Sequence, residues 1–150
     1  MRRLCLAALL LIPSLMSAQS VDAPYGMQVS DSELRFVFGV HSLGVDLELG
    51  RRGPADHARA VQAYRKAAVL GFPLSQNNLG RLYETGRGVP RDPVIAHMWY
   101  TMAAKGGDAL LRADRDRSAR RLIAEELSRA KALADDLQRH LPDPRHGNDR

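Results

Sequence analysis

The sequence predicts an all-α fold, specifically an α/α superhelical solenoid of about three antiparallel helix pairs. Three observations carry this. Residues 43–71 recur 36 positions later at 79–107, with identical pairs at Leu43/Leu79, Gly44/Gly80, Glu48/Glu84, Gly50/Gly86, Arg51/Arg87, Pro54/Pro90, Asp56/Asp92, Ala60/Ala96, Tyr64/Tyr100, Ala67/Ala103, Ala68/Ala104 and Gly71/Gly107. Self-similarity at a fixed period of this size is the signature of a stacked repeat. Within each copy, apolar and small residues fall at helical spacing and are punctuated by Gly and Pro. The last part of the chain keeps the helical rhythm but is highly charged, which suits a terminal cap whose outer face meets water.

The elements follow in order. Residues 1–20 read as a secretory signal peptide. Arg2 and Arg3 form a basic start, Leu4 to Pro13 a short apolar run, and small residues allow cleavage after Ala18 or Ser20. The run is too short to span a bilayer, which takes about 20 residues. Export to the periplasm or secretion is therefore expected, with no membrane span in the mature form. Cleavage removes Cys5, the one cysteine, and with it any disulfide or thiolate metal site. It also leaves 20 Lys and Arg against 17 Asp and Glu, a net charge of +3. That mild excess gives no reason to expect nucleic acid as a partner.

Residues 21–30 form an exposed lead-in, and Ser30 or Asp31 can cap the helix that follows. Leu34, Val37, Phe38, Leu43, Val45, Leu47 and Leu49 predict a helix over 33–49. Gly39 and Gly44 lie inside it, each costing about 1 kcal/mol of propensity relative to Ala, and close approach of a neighbouring helix is the expected reason. Gly50 to Pro54 ends it. A second helix over 56–70 carries Ala60, Ala63, Tyr64, Ala67 and Ala68 on one stripe, and Gly71 and Pro73 end it. A third spans 75–85, with Leu79, Leu82 and Tyr83 apolar and Gly80 as the small contact position. Gly86, Gly88 and Pro90 make a tight loop. Asp92 caps a fourth helix whose packing stripe is Ile95, Ala96, Trp99, Tyr100, Ala103 and Ala104. A fifth helix runs from Ala109 to about Arg121. Ile123, Leu127, Ala130, Ala134, Leu137 and Leu141 mark a sixth, either separate from the fifth or continuous with it as one bent helix. Residues 142–150 are polar and expected to be disordered. The repeat region is thus 31–141, with units at about 43–78 and 79–114 and a cap over 115–141.

Leu79-Gly80-Arg81-Leu82-Tyr83, the loop Gly86-Arg87-Gly88-Val89-Pro90-Arg91-Asp92, and Ala96, Trp99-Tyr100, Ala103-Ala104 with Gly106/Gly107 together resemble the Sel-like repeat family, relatives of the tetratricopeptide repeats. The upstream copy departs from the pattern in its loop, where Gly50-Arg51-Arg52-Gly53-Pro54 lacks the second glycine at the expected place. At the cap, Ile123 and Ala124 stand where the family often has Thr or Ser followed by Pro. The resemblance implies a superhelical scaffold that binds a protein or peptide on its concave face. A cysteine-rich branch of the family resembles β-lactamase-type proteins; the absence of a mature cysteine disfavours that branch here.

No motif for catalysis or for a cofactor is evident. There is no HExxH, no GxSxG and no glycine-rich loop following a strand, so neither an enzyme, a cofactor nor a metal is expected. Gly86-Arg87-Gly88 reads as a turn between helices. Trp99, Tyr100, Tyr83 and Tyr64 sit at helical spacing and read as core rather than as a ligand cage. The five histidines lack metal-ligand spacing. The candidate partner-binding residues are polar positions on the first helix of each unit: His41, Asp46 and Glu48, then Asn77, Arg81 and Glu84. Asn and Arg can hold a peptide by its backbone or by a carboxylate. An envelope enzyme or peptidoglycan-associated binder is the alternative expectation, and an accessory subunit of an envelope complex a third. Solenoid ends with exposed apolar edges can pair, which would give a homodimer.

Overall fold

The computed structural model describes residues 30–141. The signal peptide expected over 1–20, the rest of the expected lead-in up to residue 29 and the tail over 142–150 lie outside the described residues. Six α-helices and one 3₁₀ turn make up the described chain: α1 (Asp31–Leu49), α2 (His57–Ala68), α3 (Pro73–Thr85), α4 (Pro93–Ala103), α5 (Ala109–Ala119) and α6 (Ala124–His140), with the 3₁₀ turn Ala104–Gly106 closing α4.

Local chemistry sets most of the helix ends. The Ser30 hydroxyl accepts from the Glu33 N–H at 3.3 Å, and the Glu33 carboxylate accepts from the Ser30 N–H at 2.9 Å, a reciprocal cap for α1. Asp56 accepts from the Arg59 N–H, Asp92 from Val94 and Ile95, and Asp108 from Leu110 and Leu111. Each carboxylate satisfies N–H groups that a helix start leaves free. Gly50 and Gly86, at φ 65° and 70°, turn the chain out of α1 and α3 in the left-handed conformation. Pro73, expected to end a helix, instead occupies the first turn of α3, where its missing N–H costs nothing.

The helices pair as hairpins, α1 with α2 and α3 with α4, and α2 packs on α3 to join them. The chain breaks between hairpins at Gly71–Phe72, so a unit boundary drawn at 78/79 falls inside α3. A period fixes spacing, not phase. The third pair departs from the hairpin pattern. α5 and α6 are separate helices, and both pack against α4, with little contact between them. Ile123 cannot cap α6 with its own side chain, but Glu126 accepts from the Ile123 N–H at 3.1 Å.

The main core lies between α2, α3, α4 and α6. Tyr64, Leu79, Leu82, Met98, Trp99, Met102 and Ala134 are all buried there. Burying a Leu side chain fully is worth roughly 1.5–3 kcal/mol, so Leu79 and Leu82 at 0% exposure anchor α3. A smaller cluster of Val37, Ala67 and Phe72 holds the start of α1. Phe38 meets Phe72 edge to face at 4.9 Å.

Candidate functional site

The repeated glycine, glutamate and tyrosine form one device, used twice. Gly44 and Glu48 lie four residues apart on α1 and therefore share a face. Tyr64 of α2 crosses that face. A Cβ added at Gly44 would lie 2.6 Å from the Tyr64 ring, and one at Gly80 would lie 2.7 Å from the Tyr100 ring. The glycines are what let the rings pass. Each ring then carries its hydroxyl to the glutamate one turn along: Tyr64 donates to Glu48 at 3.0 Å and Tyr100 to Glu84 at 2.9 Å. Burial, reinforced by the neighbouring carboxylate, raises both phenols well above their ordinary value. Both tyrosines remain protonated donors. By contrast Gly39 has open space where its Cβ would be, so the close approach expected for it occurs at Gly44 alone.

An arginine from the next unit completes each cluster, and here the two copies differ. At the first junction Arg81 of α3 reaches both oxygens of Glu48 at 2.7 Å through one nitrogen, Nη2. At the second, the counterpart one repeat on from Arg81 is Arg117, which pairs with Asp114 of its own helix at 2.6 Å. Arg121, one turn further, takes the Glu84 carboxylate. Asn77 donates to Asp114 at 3.0 Å and so joins α3 to α5. The Asn77 Oδ1 is buried without a hydrogen-bond partner.

The remaining candidates are held separately. His41 meets the Ser75 hydroxyl at 2.9 Å and stacks near Phe72 and Tyr64. Burial lowers its pKa, so the ring is neutral at pH 7. Asp46 is paired with Arg51 and Arg52 of the following turn. Thus Glu48, Arg81, Glu84, Asn77 and His41 are all brought into inter-unit contacts, while Asp46 serves the α1–α2 turn. Asp114, Arg117 and Arg121 were not singled out from the sequence. The signal for the Tyr–Glu bonds was present, because Glu48–Tyr64 and Glu84–Tyr100 share one separation of 16 residues.

Other sequence features have structural places. Trp99 is 6% exposed within the core, and the Tyr83 hydroxyl accepts from Arg65 at 2.9 Å. Gly88, at φ 74°, sits against the His57 backbone, so Gly86-Arg87-Gly88 is a turn fitted between hairpins. Among the described residues no group of three or more His, Cys, Asp or Glu could hold a metal ion, and no helix is long and apolar enough to cross a membrane.

These hairpins, with one recurring tyrosine–glutamate bond per unit, define a helical repeat scaffold. The chain belongs to the Sel1-repeat family: residues 41–72 and 73–108 each match the Sel1 repeat. A Sel1 repeat protein from Oxalobacter formigenes is 32% identical, covering 60% of this chain and 74% of that one, with a TM-score of 0.51. A protective antigen of uropathogenic Escherichia coli with an SLR fold is 27% identical with a TM-score of 0.68, covering 76% of this chain and 25% of the antigen. Chitin synthase regulatory factor 4 of Schizosaccharomyces pombe is 40% identical over 58 residues, 38% of this chain and 9% of that protein. The chain thus spans a minor part of two of these three proteins. Sel1 repeats serve as scaffolds for protein interaction.

Proposed function

We propose that this protein is an exported, non-enzymatic scaffold that holds a protein or peptide segment along the face shared by α1, α3 and α5. The observation that carries the reading is the placing of Arg81 and Arg117. They lie one repeat apart on successive first helices. Each is steadied by one carboxylate, and each remains partly exposed, at 40% and 46%. A guanidinium has five N–H donors in a fixed fork, so one carboxylate does not exhaust it. Two such groups at repeat spacing, with Asn77 between them, suit an extended segment that carries a carboxylate or presents backbone carbonyls. The basic start, short apolar run and small residues of 1–20 support export.

The test uses Arg117→Ala and the double variant Asn77→Ala/Arg81→Ala. Immobilised protein is challenged with the envelope and secreted fractions of its host, and retained partners are quantified. Weakened retention by both variants, with helical circular dichroism unchanged, is the expected result. Undiminished retention by both variants would contradict the reading. Unfolding of the double variant would move Asn77 and Arg81 to a purely structural role.

A further inference from the structure

The two ends of the solenoid are unlike, and the N-terminal end is built like an interior. On α3 the stripe Gln76, Leu79 and Tyr83 is covered by α2. The Gln76 amide donates to the Ala68 carbonyl at 3.0 Å, Arg65 donates to the Tyr83 hydroxyl, and Leu79 is fully buried. One repeat earlier, the same positions on α1 are Val40, Leu43 and Leu47, and Phe36 extends the stripe by a turn. Val40 and Leu47 are partly buried against the chain's own core, but no helix among the described residues covers Leu43, 46% exposed, or Phe36, 55% exposed. Their spacing, i, i+4, i+7 and i+11, is that of a helix–helix seam. Gly39 lies beside the seam, and nothing among the described residues stands within 4 Å of where its Cβ would be.

We propose that this face of α1 pairs, antiparallel about a two-fold axis, with the same face of a second copy of the chain. Charge selects this occupant. The first turn of α1 is acidic, with Asp31 and Glu33, and the turn after its C-terminal end carries Arg51 and Arg52, which share the single carboxylate of Asp46 and stand 59% and 83% exposed. Antiparallel pairing sets the acidic end of each copy beside the basic end of the other, and it also opposes the two helix dipoles favourably. The other end of the solenoid points the same way. α6 exposes Glu125, Arg129, Lys131, Asp135 and Asp136, so head-to-tail stacking would press the apolar stripe against charges. Two-fold pairing covers both stripes and closes the assembly at two. Four side chains make a small contact, so the dimer is weak and concentration-dependent.

Sedimentation velocity on protein expressed from the complete reading frame tests this across a concentration series. The apparent mass is expected to rise from one chain to two. Leu43→Glu places two facing charges in the seam and is expected to hold the protein at one chain with unchanged circular dichroism. Arg51→Glu/Arg52→Glu, which leaves the apolar stripe intact, is expected to weaken dimerisation about tenfold at low salt and much less at high salt. Leu110→Glu, at the opposite end and 78% exposed, is expected to leave the dimer unchanged. A single-chain mass at every concentration would overturn the proposal, as would a dimer that survives Leu43→Glu or one that Leu110→Glu dissociates.

Discussion

The first junction, Tyr64–Glu48–Arg81, and the second, Tyr100–Glu84–Arg121, repeat one plan with different exposure. Glu48 is 9% exposed and is gripped through both oxygens by an arginine standing at 40%. Glu84 is 17% exposed, and its arginine stands at 60%. At the second junction the repeat-equivalent arginine, Arg117, has turned to Asp114 instead. A carboxylate withdrawn from water depends more on its partners than one that water still reaches. The first junction therefore joins two full hairpins as a fixed unit, whereas the second joins a hairpin to a cap through contacts that solvent shares. Chain order matters here: the stronger contact lies between the two matching repeats.

Removing the shared acceptor should separate the junctions most widely. Glu48→Ala leaves the Tyr64 hydroxyl and Arg81 without their common partner. It should cost about 2–3 kcal/mol, from hydrogen bonds to a charged group at roughly 1.5–3 each and partial solvation of Arg81. Glu84→Ala likewise strands the Tyr100 hydroxyl and should cost about 1.5–2 kcal/mol, with little added by Arg121, which is exposed and turns to water. Urea unfolding of the two variants reads the difference, and equal losses would erase the distinction.

Glycine substitution should not separate them. A methyl at either Gly44 or Gly80 meets a tyrosine ring at less than 3 Å. Overpacking of this kind costs roughly 1–3 kcal/mol, against about 1 kcal/mol gained in helix propensity. Both Gly44→Ala and Gly80→Ala should thus destabilise modestly and alike. Stabilisation by either would mean that its tyrosine can move aside. Gly39→Ala, with open space above it, should gain the propensity term alone in dilute monomer.

A smaller effect is pH-dependent and spans both hairpins. Burial lowers the pKa of His41 and of His97, which meets the Ser118 hydroxyl at 3.3 Å, below the ordinary 6.5. The unfolded chain therefore binds protons first as pH falls. Stability from these rings is complete above about 6.5 and is lost as pH drops from there to their lowered folded values. Measured from pH 7.5 downward, the loss should begin below pH 6.5, and His41→Gln should flatten part of it. A profile unchanged by that substitution would assign the slope to other groups.

Much of this architecture is legible in the chain. The 36-residue period, the alanine stripes and the capping Ser30 and Asp92 fix helices through local physics, which acts within a few residues; Asp56, read as the first residue of its helix, is its cap. The roles of Glu48, Glu84 and Arg81 are not legible in the same way. On one helix each looks like any exposed charge, and its partner lies 16 to 37 residues away in sequence. The polar row read as a binding surface is thus in large part the contact between units, with Arg81 and Arg117 still offering donors outward. The packing of both α5 and α6 on α4 was equally hidden, because a heptad rhythm says that a helix buries one face but not against which neighbour.

A double-mutant cycle on Glu48 and Arg81, using Glu48→Gln and Arg81→Gln singly and together, tests the central claim that the first junction is an energetic bond between repeats. A cycle on Glu84 and Arg121 is run beside it. The expected coupling is about 1–2 kcal/mol for the first pair and below about 0.5 kcal/mol for the second. A first coupling indistinguishable from zero, or no larger than the second, would contradict the account.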